Sequence, residues 1–184
     1  TIARAGTFSA IRHSRSHSEP GMSPEPHKAD QAADTLRDLV PALGHLVHMP
    51  SHIDVRTGRW QQASEASVRA EKADVAYRER VPNQNFYRVY MAHNHHLRTF
   101  ASMMLGRSAE AIQTIDTMVA EIPPDWSKEN AFIVDGFLAM PWEVRMRFGK
   151  WEELLAMPDL PEHFPIARSL RHAPRGIAYA ATGK

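Results

Sequence analysis

The chain says one phrase twice. HMPSHIDVRTGRW runs from His48 to Trp60, and AMPWEVRMRFGKW runs from Ala139 to Trp151. Met-Pro, a β-branched residue, an arginine, a glycine, a basic residue and a tryptophan recur at matching offsets. A recurring phrase implies a recurring structural unit, and nothing else in the chain narrows the choice of folds as much. The glycine of the phrase has further copies: Gly58, Gly106, Gly149 and Gly183. The first three are followed by good helix formers (QQASEASVRAEKADVAY, AEAIQTIDTMVAEI, EELLAM) and preceded by mixed apolar and basic stretches. A glycine that ends one helix, a short basic turn and the opening of the next helix make a helical hairpin. Ala63, Ala70 and Ala111 put small side chains where paired helices approach closely. Val and Ile are scattered rather than alternating, so no strand is expected. The expected fold class is all-α, built of stacked antiparallel helix pairs.

Gly58, Trp60, Ala63 and Ala70 in one unit, Gly106 and Ala111 in the next, and Gly149 and Trp151 in the third resemble the tetratricopeptide repeat (TPR) family. The resemblance covers roughly residues 24–184 and implies a TPR-like α-solenoid. The two longer glycine spacings depart from the 34-residue period and imply extended helices or loops such as ERVPNQNFY and EIPPDWSKEN. The resemblance also implies a concave groove, lined by the first helix of each pair, that takes a peptide, a protein or a small ligand. The wording GHLVHMPSHI before GRW, and HNHHL before GRS, resembles a bacterial subgroup of such repeat proteins; that resemblance names no activity. Residues 1–23 do not follow this grammar and are expected to form an irregular lead-in. KADQAADTLRDL, from Lys28 to Leu39, reads as the second helix of an incomplete preceding pair.

Pro50 and Pro141 occupy the same slot, eight residues before the turn glycine. Proline inside a helix costs ~3 kcal/mol, whereas the first helical turn accepts it. These helices are therefore expected to begin at or near the proline. The middle unit has no proline there, so its helix is expected to run back to about Tyr87, with Asn83 or Asn85 near its cap.

The histidines fall at matching offsets too. His45 and His93 each lie 13 residues before their turn glycine, and His48 and His96 each lie 10 before. His52 lies 6 before Gly58, where the third unit has Glu143 before Gly149. Residues three and four apart share a helix face. Imidazoles at i, i+4 met by a second helix are how helical bundles build metal sites without cysteine. His45, His48, His52, His93, His96 and Glu143 are the candidate metal ligands, with Asp54 a further oxygen donor. Zinc, iron, copper and nickel all accept imidazole. There is no H-E-x-x-H, so the usual zinc-protease helix is absent. A core or hydrogen-bonding cluster is the competing reading of the same histidines.

Arg56 and Arg147, two before their glycines, are candidates for an acidic groove ligand or for the carbonyls of a helix C-terminus. Tyr87 and Tyr90 are candidate groove walls. Trp60, Trp151, Met103, Met104 and Met140 are expected in the inter-helix core. RAEKADVAYRERV reads as a solvated charged face.

Two functions follow: a helical-repeat binding scaffold whose groove carries a histidine cluster, or a transition-metal-binding protein or metalloenzyme using the same cluster. Twenty-two basic and 21 acidic residues leave a formal charge of +1, which argues against nucleic acid as a partner. No apolar run approaches the ~18 residues of a membrane span. With no cysteine, thiolate zinc sites and thiol nucleophiles are excluded. The chain opens on Thr1 rather than Met, as a fragment or processed form would, and the cytoplasm is the default expectation.

Overall fold

A computed structural model describes residues 24–184, and the lead-in expected over residues 1–23 lies outside them. The described residues form helices and turns, with no strand among them. No helix among them is long and apolar enough to cross a membrane. The chain divides after Leu105 into two compact units.

In the first unit a 3₁₀ turn, Pro26–Ala29, leads into α1, Asp30–Leu39. Then come α2 (Gly44–His48), α3 (Ser51–Thr57), α4 (Trp60–Arg80) and α5 (Tyr87–Met104). The long helix α4 packs against α5, α2 and α3, and α2 also packs against α5. Ala63, Ala66 and Ala70 of α4 are buried, as close helix approach requires. Gly44 makes the closest approach: a Cβ there would lie 2.8 Å from the Ala70 carbonyl oxygen and 2.2 Å from Asp74 Oδ1. Only a residue without a side chain lets α2 lie this near α4.

The four turn glycines behave as their spacing predicts. Gly58, Gly106, Gly149 and Gly183 have φ of 78°, 73°, 64° and 70°, the left-handed region that glycine enters without steric cost. After three of them the next amide reaches back five residues: Arg59 N–H to Asp54 O, Lys150 N–H to Arg145 O and Lys184 N–H to Tyr179 O. This is the Schellman closure of a helix end. Trp60 and Trp151 then open α4 and a later helix, as expected.

The start of the histidine-bearing helix differs from expectation. Met49 (φ −49°, ψ −38°) and Pro50 (φ −55°, ψ −31°) both have helical backbone. The chain therefore stays helical from Gly44 through Thr57 instead of starting at the proline. Pro50 has no N–H, so the hydrogen-bond ladder drops a rung and splits the segment into α2 and α3. It resumes with His52 N–H to Met49 O (3.2 Å) and Ile53 N–H to Pro50 O (3.0 Å). The α5 helix does begin at Tyr87, but Phe86 is its N-cap and no side chain caps it. Asn85 instead takes a positive φ of 48° in the preceding turn.

Asp54 is fully buried and ties α3 to α1 through Arg37, 2.9 Å from its Oδ2; Arg59 lies 3.4 Å from its Oδ1. Burial pushes its carboxyl up, and the two guanidiniums oppose that shift.

The second unit runs α6 (Ser108–Glu121), α7 (Pro124–Glu129), α8 (Ala131–Val134), a 3₁₀ turn Asp135–Ala139, α9 (Met140–Arg147), α10 (Trp151–Ala156), α11 (Pro165–Leu170) and α12 (His172–Thr182). Here Pro141 sits in the first turn of its helix, as expected. Trp142, Leu154 and Ala178 form one core cluster, and Val134, Leu138, Ala139, Phe164 and Ala167 form another. Asp135 is buried, and its carboxylate accepts the N–H groups of Ile166 (2.7 Å) and Ala167 (2.8 Å) at the start of α11. Met103 and Met140 are in the core as expected, but Met104 is 42% exposed. Neighbouring helix positions point about 100° apart, so the packed face of α5 takes Met103 and not Met104.

Candidate metal centre

Three helices carry the histidines together: α2 brings His45 and His48, α3 brings His52, and α5 brings His93 and His96. His48 is fully buried. Its Nε2 lies 3.1 Å from His52 Nε2, and His52 Nε2 lies 3.0 Å from His93 Nε2. The ligand atoms of His48, His52 and His93 all fall within 4.8 Å of one another, so the three could hold a metal ion. The i, i+4 pair is thus real, although a proline separates its two members.

The contacts carry a chemical conflict. A neutral imidazole nitrogen offers either one proton or one lone pair. His52 Nε2 has two nitrogen neighbours at hydrogen-bond distance, and it can make a normal hydrogen bond to only one of them. Adding a proton does not resolve this in a buried site. Burial lowers the basicity of His48 strongly and of His52 more modestly, and burial together with the neighbouring imidazoles brings His93 down to about 4. Neighbouring imidazoles add to the effect of burial at His48. The imidazoles are therefore uncharged near neutral pH, the protonation state from which histidine binds a metal ion.

The surroundings orient the rings. Ser51 Oγ donates to the His48 carbonyl and lies 3.4 Å from His48 Nδ1, leaving Nε2 to face His52. The His45 ring lies 5.9 Å from that of His48 and 6.3 Å from that of His93, and its Nδ1 is buried without a hydrogen-bond partner. Tyr90, the expected groove wall, covers His45 at 4.2 Å between ring centroids. Tyr87 turns instead to Asp74, donating to Oδ1 at 3.3 Å. Burial, with Asp74 beside it, raises the Tyr87 phenol to about 12.

No protein-family model, curated protein or solved structure matches this chain. The site stands on its geometry.

The other candidates are not members of the group of three. His96 is on α5, outside the group of three; burial lowers it to about 4. Asp54 is held by Arg37 and Arg59. Glu143 is exposed on α9 in the second unit. Arg56 and Arg147 are exposed in the last turns of α3 and α9, where a cation suits the helix end.

RAEKADVAYRERV is not wholly a solvated face. Asp74 is 1% exposed and accepts from Asn94 Nδ2 at 2.6 Å. Glu71 meets His95 Nδ1 at 3.1 Å and Arg98 at 2.5 Å. Both carboxylates fix α5 against α4 and so fix the side of α5 that His93 presents. The available signal was spacing: positions 63, 66, 67, 70 and 74 follow the helical period of the buried face.

A pH dependence follows for the metal-free protein. These histidines bind protons less readily when folded than when unfolded. Stability is therefore complete above the unfolded value near 6.5 and falls as pH drops from there through about 4. His93 and His96 each stand to contribute on the order of 3 kcal/mol, less where they interact. With chelator present, the urea midpoint is expected to be flat above pH 7 and to drop steeply between pH 6 and 4. A midpoint unchanged from pH 7 to 4.5 would contradict it.

Proposed function

We propose that this chain is a transition-metal-binding protein whose ion is held by the imidazoles of His48, His52 and His93. One observation carries the reading: a single nitrogen, His52 Nε2, stands 3.1 Å and 3.0 Å from two others that it cannot both hydrogen-bond. A cation accepting all three lone pairs removes the conflict. With metal–nitrogen bonds of ~2.0–2.1 Å, adjacent ligand nitrogens lie about 3.3 Å apart on a tetrahedron and about 2.9 Å apart on an octahedron. The two close contacts lie between those values.

His45 is the proposed fourth ligand. Four imidazoles around one tetrahedral ion would keep ring centroids about 5.2 Å apart, given the same bond lengths. The three close rings are 4.9, 4.6 and 5.0 Å apart, and His45 is within about 1 Å of the expected spacing from two of them. An all-imidazole set selects zinc, copper, nickel or iron(II) over calcium and magnesium, which require oxygen. Ligation by all four closes the site; a mobile His45 leaves a position for water or substrate.

The tetratricopeptide-like frame belongs to the same proposal. Four left-handed turn glycines and the buried Ala63, Ala70 and Ala111 support it. In this reading the helix pairs are a rigid mount for the ligands.

The test is elemental analysis of untagged protein purified without added metal, followed by titration with zinc and copper. About one ion per chain is expected. Metal below about a tenth per chain, with no binding tighter than micromolar, would leave the concave scaffold for a peptide or small ligand as the better account.

A further inference from the structure

A cleft of about 390 Å3 opens in the first unit between the α1–α2 loop and the second half of α4. That is the size of a small-molecule site. Pro41 and Ala42 form one wall. The other wall is a single face of α4, because positions 69, 72, 73, 76, 77 and 80 recur every three or four residues. The chemistry along that face is ordered. Lys72 stands toward one end and Arg80 at the other, with Ala73, Ala76 and Tyr77 between them. At 1.5 Å of rise per residue, the backbones of the two cations are roughly 12 Å apart along the helix axis. The Tyr77 ring is held against that of Tyr87, with centroids 4.8 Å apart.

The two end cations lack counter-charges. Arg69, the third cation of the wall, is already committed: its Nη2 donates to Asp38 Oδ1 at 2.6 Å and to the Arg37 carbonyl at 3.1 Å. Neither the Lys72 nor the Arg80 side chain has a partner among the described residues, and no carboxylate lines the cleft. A solvated cation on a helix face is ordinary by itself. These two bracket an apolar stretch of concave surface, so a ligand with a negative charge at each end and an apolar middle matches the wall along its whole length.

We infer that this cleft binds an elongated small molecule with an anionic group at each end and an apolar middle, such as a long-chain dicarboxylate, with Lys72 pairing to one end and Arg80 to the other. None of the lining residues belongs to the histidine cluster, and the site stands whether or not that cluster binds metal.

The probe is decanedioate, titrated into the isotopically labelled full chain and followed by amide chemical shifts. Saturable shifts are expected at Ala42, Ala73, Ala76 and Tyr77, and they should weaken as salt is added, because exposed charges are screened. Decanoate keeps the chain length and loses one charge; butanedioate keeps both charges and is too short to reach both cations. Each is expected to bind about three- to fivefold more weakly. Lys72→Ala and Arg80→Ala, at exposed positions, should each bring decanedioate down to the affinity of decanoate. Circular dichroism confirms that both variants fold. Absence of saturable shifts at the cleft of the wild-type chain overturns the inference, as does binding that either substitution leaves intact. Equal affinity for decanedioate and decanoate overturns the pairing at two ends.

Discussion

His52→Ala is expected to remove metal binding almost entirely. Its Nε2 is the one atom at hydrogen-bond distance from two other ligand nitrogens, so its loss removes the centre of the set and leaves His48 and His93 with only the more distant His45. Changes to groups that merely support a ligand cost 10–100-fold in affinity. Loss of a ligand should therefore cost at least about 100-fold. Two measurements check this. Isothermal titration with zinc should show the loss directly. Thermal unfolding should show it by linkage, because a ligand at 100 times its dissociation constant stabilises the native state by about 2.7 kcal/mol. For a chain of this size that is a rise of several degrees in Tm, present in the wild type and absent in the variant. His96→Ala, three positions along α5 from His93, is the control and should change zinc affinity less than about threefold. Equal loss from both variants would mean that the cluster acts through folding and not through ligation. In chelator, His52→Ala should unfold at nearly the wild-type temperature, since it also removes the crowded lone pairs.

Gly44→Ala is expected to be the most damaging single methyl addition in the first unit. The new Cβ would meet Asp74 Oδ1 at 2.2 Å and the Ala70 carbonyl oxygen at 2.8 Å. The carboxylate can turn; the α4 backbone cannot. Helix α2 must then move off α4, which costs about 3 kcal/mol or more and lowers Tm by roughly 10 °C. Because α2 carries His45 and His48, zinc affinity should fall too, although no ligand has been touched. The double variant Gly44→Ala/Asp74→Ala separates the two contacts. It should remain destabilised, because the clash with the carbonyl persists. Full recovery in the double variant would show that the carboxylate alone opposes the methyl.

Much of the frame was readable from the chain because it depends on local chemistry. A left-handed glycine after a helix has few substitutes, so Gly58, Gly106, Gly149 and Gly183 marked the helix ends. The histidines were readable for a related reason: side chains four apart on one helix share a face wherever that helix packs. The rest depended on tertiary context. Pro50 alone favours a helix start, yet the packing of α2 against α4 and α5 holds helical backbone through it. His45 and His93 share an offset, yet the His93 ring lies 6.3 Å from that of His45 and only 4.6 Å from that of His48, and its Nε2 meets His52 Nε2 at 3.0 Å. A register between two helices is set by side chains on both, and one helix cannot announce it. Asp74 looked like one charge among many until its helix found a partner with Tyr87 and Asn94 on the facing side.

The carboxylate of Asp135 has a consequence for how the second unit comes apart. The first turn of α11 borrows its cap from a residue thirty-one positions upstream. That turn is therefore not autonomous. A peptide cut loose at Pro165 would leave its opening amides bare, and short helices in water rarely survive such a start. The C-terminal stretch must melt with the segment that supplies Asp135, so protection from hydrogen exchange at Ile166 and Ala167 should report on the cooperativity of the whole unit and not on local fraying.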